Sequence, residues 1–189
     1  MTSVRPARTS DEAAIRAVTT RAFGDDGAQV AALVGALEAG PVRISLVADD
    51  NGTVVGHTLL SRGWVDAERA LVEVLVLSPL SVDPPRQRQG IGSSLVRAAL
   101  AEADTLGVPA VFLEGSPVYY SRFGFVAGGS RGFVRPSVRI PQPAFQVVVL
   151  PAWEPWMTGA LVYPDAFWTL DLAGLRGDTL AAVRAQVGE

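Results

Sequence analysis

Glu73, Glu114, His57 and Ser130 are the side chains whose sequence context suggests chemistry, and the run from Leu77 to Leu95 suggests a bound anion. In that run Gly90-Ile91-Gly92 opens a helical pattern, so backbone N–H groups can approach an anion at the positive helix end. Arg88 adds a guanidinium able to pair with phosphate. A pyrophosphate site is one reading of these residues, and a tight strand-to-helix turn without a ligand is the other. A dinucleotide fingerprint fits poorly, because no third glycine follows Gly92 at the required spacing. Pro79 interrupts a strong strand pattern just upstream. It has no N–H to give a ladder, so a bulge, an end or a parting of strands is expected there.

The residue inventory removes many alternatives. Cysteine is absent, all 16 cations are arginine, and His57 is the single histidine. Thiolate nucleophiles, disulfides, Schiff-base and P-loop lysines, and multi-histidine zinc sites are therefore excluded, and no metal is expected. Ser130 sits in Gly128-Gly129-Ser130-Arg131-Gly132, which fits the G-x-S-x-G elbow of hydrolases. That elbow needs a following helix, and Pro136 and Pro141 predict a loop instead.

The elements that must position these groups follow from periodicity. Thr9 and Glu12 form a capping-box pattern before Ile15, Val18 and Ala22, and Val30, Leu33, Val34 and Leu37 mark a second helix that Gly40-Pro41 stops. Strands are predicted over 43–48 and 53–64, joined by a hairpin turn at Asp49-Asp50-Asn51-Gly52, and over 70–82. Ile91, Leu95, Ala99, Ala103 and Leu106 share one helical face, ended by Gly107. Residues 110–114, 125–127 and 145–150 read as strands, 117–123 as helical turns, and 179–187 as an amphipathic end. The order predicts an α+β (mixed α/β) single domain.

The 189 residues carry 49% hydrophobic and 19% charged residues, enough apolar material for one core. A net charge of −3 gives no basic excess of the kind nucleic-acid binding requires. No signal-peptide pattern or membrane-length apolar run is present, so a cytoplasmic protein without nucleic-acid or membrane partners is expected.

Gln87-Arg88-Gln89-Gly90-Ile91-Gly92 resembles the Q/R-x-x-G-x-G/A signature of the GNAT superfamily of acyl-CoA-dependent N-acetyltransferases. Tyr119-Tyr120-Ser121-Arg122-Phe123-Gly124-Phe125 resembles that family's second landmark. With Pro79 to Val82, Ala144 to Val147 and Tyr163 to Phe167, the pattern is similar to the YhbS-like acetyltransferases. The resemblance covers residues 1–168, and 169–189 form a C-terminal extension of unknown role, expected to pack on the domain.

The resemblance implies a mixed, mostly antiparallel sheet, flanked by helices, with a splayed parallel strand pair. The pantetheine arm of acetyl-CoA would lie in the splay on main-chain groups of Leu80, Ser81 and Val82, with the pyrophosphate on Gln87, Arg88, Gln89, Gly90, Ile91, Gly92 and Ser93. It implies direct attack of a primary amine on the thioester in a ternary complex, with Tyr120 as the general acid at the departing thiolate. Glu73, His57 and Glu114 are candidates for the base; Glu73 stands three residues before the position where some members carry a glutamate, here Val76. The acceptor is a small molecule or a protein or peptide amine, and a homodimer is compatible with the chain. Two rivals remain: a catalytically silent acyl-CoA-binding sensor or scaffold, and a hydrolase using Ser130.

Overall fold

The structure, a computed structural model, describes residues 2–40 and 42–188. Pro41, half of the expected stop after the second helix, lies outside the described residues. The chain divides into two compact units, Met1–Ser61 with Leu77–Leu106, and Arg62–Val76 with Gly107–Glu189.

In the first unit β1 (Thr2–Pro6) pairs antiparallel with β2 (Val42–Asp50), placing Val4 opposite Ala48. The N-terminal part of β3 (Thr53–Ala67) pairs antiparallel with β2, with Val47 opposite His57. The connecting turn places Asn51 and Gly52 at φ 53° and 87°, the left-handed pair that a two-residue hairpin requires. Helix α1 spans Glu12–Phe23, α2 Gly27–Glu38 and α3 Ile91–Thr105. On α3 the apolar residues Ile91, Leu95, Ala99 and Ala103 are all buried, as their spacing predicts. Full burial of Leu95 alone is worth about 1.5–3 kcal/mol.

The entry to α1 differs from the expected Thr9–Glu12 box. A 3-10 turn at Thr9–Asp11 precedes the helix, and the Arg8 N–H donates to Asp11 Oδ2 at 2.8 Å. Arg5 donates to both oxygens of the same carboxylate, at 2.7 and 3.0 Å. Asp11 rather than Glu12 closes the turn because, of the two, it is Asp11 that meets the Arg5 guanidinium from β1, which Asp49 also holds at 2.9 Å.

In the second unit the C-terminal part of β3 pairs antiparallel with β8 (Gly159–Val162). The first part of β4 (Leu71–Val82) runs parallel to β5 (Ala110–Glu114) at Leu75↔Val111 and Val76↔Phe112. β7 (Phe145–Val149) lies antiparallel to both β5 and β6 (Val126–Ala127). Short helices α4 (Pro117–Tyr120) and α5 (Asp165–Thr169) and the terminal α6 (Gly177–Val187) complete it. Its centre is aromatic: Phe112 stacks on Phe145 at 5.8 Å and meets Phe133 edge-on at 4.9 Å. The strands are thus mixed and mostly antiparallel with one parallel pair, flanked by helices, as expected. The C-terminal extension belongs to the second unit, where Arg184 donates to the Val138 carbonyl at 2.8 Å. Among the described residues no helix is long and apolar enough to cross a membrane.

Candidate active site

β4 continues through Pro79 to Val82, while its ladder with β5 stops at Val76↔Phe112, a parting of strands that is one of the outcomes expected near the proline. The Pro79 carbonyl accepts from Thr58 Oγ1 at 3.2 Å, and the Asp83 N–H donates to the Val55 carbonyl at 3.0 Å. Both partners lie on β3. Main-chain groups alternate along a strand, so Leu80 and Val82 direct theirs to the edge away from β3. The Val82 carbonyl is met there by Gln87 Nε2 at 3.1 Å. Ser81 faces inward instead and donates its hydroxyl to Thr19 Oγ1 on α1 at 3.2 Å.

A short loop then delivers the chain to α3. Arg21 holds Asp83 at 2.7 Å, Arg86 pairs with Asp50 at 2.8 Å, and Gln89 Nε2 donates to the Pro85 carbonyl at 3.2 Å. Gly90 caps the helix at φ 85°, a conformation that excludes most side chains. The first helical bond runs from the Ser94 N–H to the Gly90 carbonyl, so the N–H groups of Ile91, Gly92 and Ser93 lie before the ladder begins. No side chain caps them, and no acid stands in the first turn. Arg88 is exposed beside this end and makes no ion pair among the described residues. A cavity of about 150 Å³ adjoins it, lined by Gln89, Gly90, Ile91 and Ser94 with Thr2 and Val4. The arrangement suits a polyanion: an uncapped positive helix end, a free guanidinium and room to receive it.

Within the second unit, Tyr120 ends α4 with its ring over the C-terminal end of β5. A Cβ on Gly115 would lie 2.5 Å from the Tyr120 Cε2, so only glycine admits the ring there. Tyr119 and Phe125 close the other sides at 4.8 and 5.7 Å. Burial, and secondarily the neighbouring Tyr119, raise the Tyr120 phenol above its usual range, so it is a hydrogen-bond donor at neutral pH. Tyr119 instead packs between Arg122, 4.9 Å from its ring, and Phe123.

The base candidates are placed differently from one another. His57 is fully buried in the first unit, its Nε2 3.0 Å from the Ser45 hydroxyl and its Nδ1 without a hydrogen-bond partner. Burial pushes its pKa down to about 4, so the ring is neutral. Glu73 is half-buried on β4, two residues before the Leu75↔Val111 pair. Glu114 ends β5 and is engaged by Tyr163 and by the Gly174 N–H, partners that sequence spacing did not reveal. Apart from these candidates, the acids Asp25 and Asp26 beside the first two helices occupy an exposed 3-10 turn, whereas Glu38 and Glu12 line one cavity of about 260 Å³. Ser130 lies in a 3-10 turn, exposed, with its hydroxyl donated to the Ala127 carbonyl at 2.6 Å. No helix follows it, so the elbow geometry is missing.

An uncapped helix end thus follows a strand with outward main-chain groups. Residues 14–125 match the model of the Acetyltransferase (GNAT) family, and the chain belongs to that family of acetyl-CoA-dependent N-acyltransferases. It is 36% identical over 130 residues to the uncharacterized N-acetyltransferase YjhQ of Escherichia coli strain K12, covering 67% of this chain and 71% of YjhQ. It superposes on the crystal structure of the GNAT N-acetyltransferase YhbS from Escherichia coli in complex with CoA at TM-score 0.78. There 31% of residues are identical, over 88% of this chain and 91% of that one. A GNAT acetyltransferase from Brucella melitensis in complex with acetyl-CoA gives 0.72 and 32% identity, over 88% and 98%. YhbS-like relatives are thus those expected from the motifs.

Proposed function

We propose that the enzyme moves the acetyl group of acetyl-CoA to a primary amine by direct attack, without an acyl-enzyme. The carrying observation is the sequence of outward-facing Leu80 and Val82 main-chain groups followed by the uncapped α3 N-terminus with Arg88 beside it. A pantetheine arm would bond to the first pair as an added strand, and a pyrophosphate would sit on the amides of Ile91, Gly92 and Ser93. Relatives crystallised with CoA and acetyl-CoA support this assignment.

In the reaction the amine lone pair attacks the thioester carbonyl, the carbonyl oxygen gains charge, and the C–S bond then breaks. An N–H of Leu80 or Val82 would hold that oxygen; losing one such donor costs other enzymes about 10²–10³ in rate. Tyr120 would serve the departing thiolate. Its raised pKa makes it a weaker acid than a thiol, so its contribution is a donated hydrogen bond, with the final proton supplied by solvent. The ammonium form of the acceptor must lose a proton before attack. His57 is sealed and weakly basic, which leaves the two glutamates; Glu114 is engaged by Tyr163 and the Gly174 N–H, and Glu73 would take this role through water.

A screen of small amines, peptides and proteins for CoA release, with an amine-free control, tests this reading. Amine-dependent release with an acetylated product is expected. Tight acetyl-CoA binding with transfer to no amine would instead establish the sensor reading.

A further inference from the structure

Glu114 occupies an unusual position for a carboxylic acid. It ends β5 half-buried, and two groups from distant parts of the sequence engage it: the Tyr163 hydroxyl and the Gly174 N–H. Arg139 is the nearby cation and is shared with Asp171, whose Oδ1 lies 3.2 Å away. Gly174 is pressed against Arg139 so closely that a Cβ would lie 2.8 Å from the Arg139 carbonyl. The Leu175 N–H donates to the same carbonyl at 3.0 Å. Residues 163–175 are also packed on themselves, with the Tyr163 and Phe167 rings 4.7 Å apart and the Leu172 N–H on the Phe167 carbonyl.

The residue that follows β5 is Gly115, on which the Tyr120 ring rests. Its N–H donates to the Ala144 carbonyl at 3.0 Å, and its carbonyl accepts from Gln146 Nε2 at 2.7 Å. The main chain under the phenol is therefore fixed from one side by β7 and from the other by whatever holds Glu114.

We propose that Glu114 is a positioning residue: through it, the C-terminal segment 163–175 holds the end of β5 and thereby the ring of Tyr120. This rests on the reading of Tyr120 given above for its consequence in catalysis, but the mechanical link stands on its own. The groups facing Glu114 are Tyr163, Arg139 and, through Arg139, Asp171. Burial is the dominant influence on the acid and outweighs the two donors, so its pKa is pushed up to about 7. Burial by the segment thus favours the protonated acid, and the segment's hold weakens as pH rises through neutrality.

Hydrogen exchange read by mass spectrometry on the full chain tests the link without an acceptor. In Glu114→Ala, exchange should accelerate about tenfold in both 163–175 and 115–124, as expected for loss of the two hydrogen bonds that the acid makes, while α3 stays unchanged. Glu114→Gln keeps an acceptor oxygen and should restore protection in both stretches. Wild-type protection in both should fall between pH 6 and 8 after correction for intrinsic rates, and that fall should vanish in Glu114→Gln. Tyr163→Phe removes one donor at minimal cost in packing and should loosen the same two stretches if Glu114→Ala does not fold. Loosening of 163–175 with 115–124 unchanged would overturn the proposal, as would unchanged exchange in both. Turnover of Tyr120→Phe bears separately on the phenol, so failure of that role is distinguishable from failure of the clamp.

Discussion

Tyr120 stands in space that Gly115 leaves open: a Cβ at position 115 would come within 2.5 Å of the ring Cε2 and 3.0 Å of Cδ2. Position 115 does not adopt a left-handed φ, so alanine there is resisted by the ring alone. Gly115→Ala should destabilise the fold by about 1–3 kcal/mol, the usual cost of overpacking, and should displace the phenol. Thermal denaturation and acetyl-CoA calorimetry check this together. A lower Tm with reduced turnover and unchanged cofactor Kd is expected.

Gly92 lies in the uncapped first turn of α3. An aspartate there complements the helix dipole by about 0.3–1 kcal/mol, so Gly92→Asp should fold while opposing a bound phosphate. Acetyl-CoA should stabilise the wild type by about 2.7 kcal/mol at a hundredfold excess over its Kd. In folded Gly92→Asp that gain should be largely lost. Equal affinity in the two proteins would remove the pyrophosphate from this helix end.

His57 gives a pH dependence of opposite sign to that of Glu114. Its folded pKa is near 4, below the ordinary value of 6.5, so the native state binds fewer protons than the unfolded chain in that interval. Stability from this residue is complete above about pH 6.5 and is lost as pH falls toward 4. His57→Gln should flatten that slope in denaturant titrations while leaving turnover at pH 8 intact. A strong loss of turnover at pH 8 in a stable His57→Gln would make the histidine a participant in proton transfer.

Glu114 supplies the converse. With a folded pKa of about 7 against 4.5, its contribution is complete below pH 4.5 and declines as pH rises through 7. Glu114→Gln should therefore gain stability relative to wild type at pH 8 compared with pH 5, measured by chemical denaturation at both. A difference independent of pH would mean that the acid does not titrate in this range.

Local periodicity reveals much of this architecture. The spacing of Ile91, Leu95, Ala99 and Ala103 places α3, and Asn51-Gly52 marks its hairpin, because both signals are carried by neighbouring residues. β1 and β8 escape detection for the opposite reason. Thr2–Pro6 and Gly159–Val162 are short and weakly patterned, and they exist as strands through pairing with β2 and β3. The site divides in the same way. Gly90, Gly92, Arg88 and Tyr120 form a readable motif, whereas the engagement of Glu114 by Tyr163 and Gly174 joins residues about fifty and sixty positions apart in the chain. The confinement of His57 likewise follows from contacts outside its own strand, such as Ser45 on β2, rather than from its neighbours in sequence.

Turnover of Tyr120→Phe, measured with an amine acceptor beside cofactor affinity, addresses the central claim most directly. The change removes one hydroxyl and leaves the ring against Gly115, Tyr119 and Phe125. If the phenol donates its hydrogen bond to the leaving thiolate, kcat and kcat/KM should fall together by roughly 10²- to 10³-fold, the cost of losing one donor to developing charge, while the acetyl-CoA Kd hardly moves. Tyr119→Phe, with its ring packed against Arg122 and Phe123, should change neither. Full turnover in Tyr120→Phe would contradict the mechanism and leave Tyr120 a packing residue.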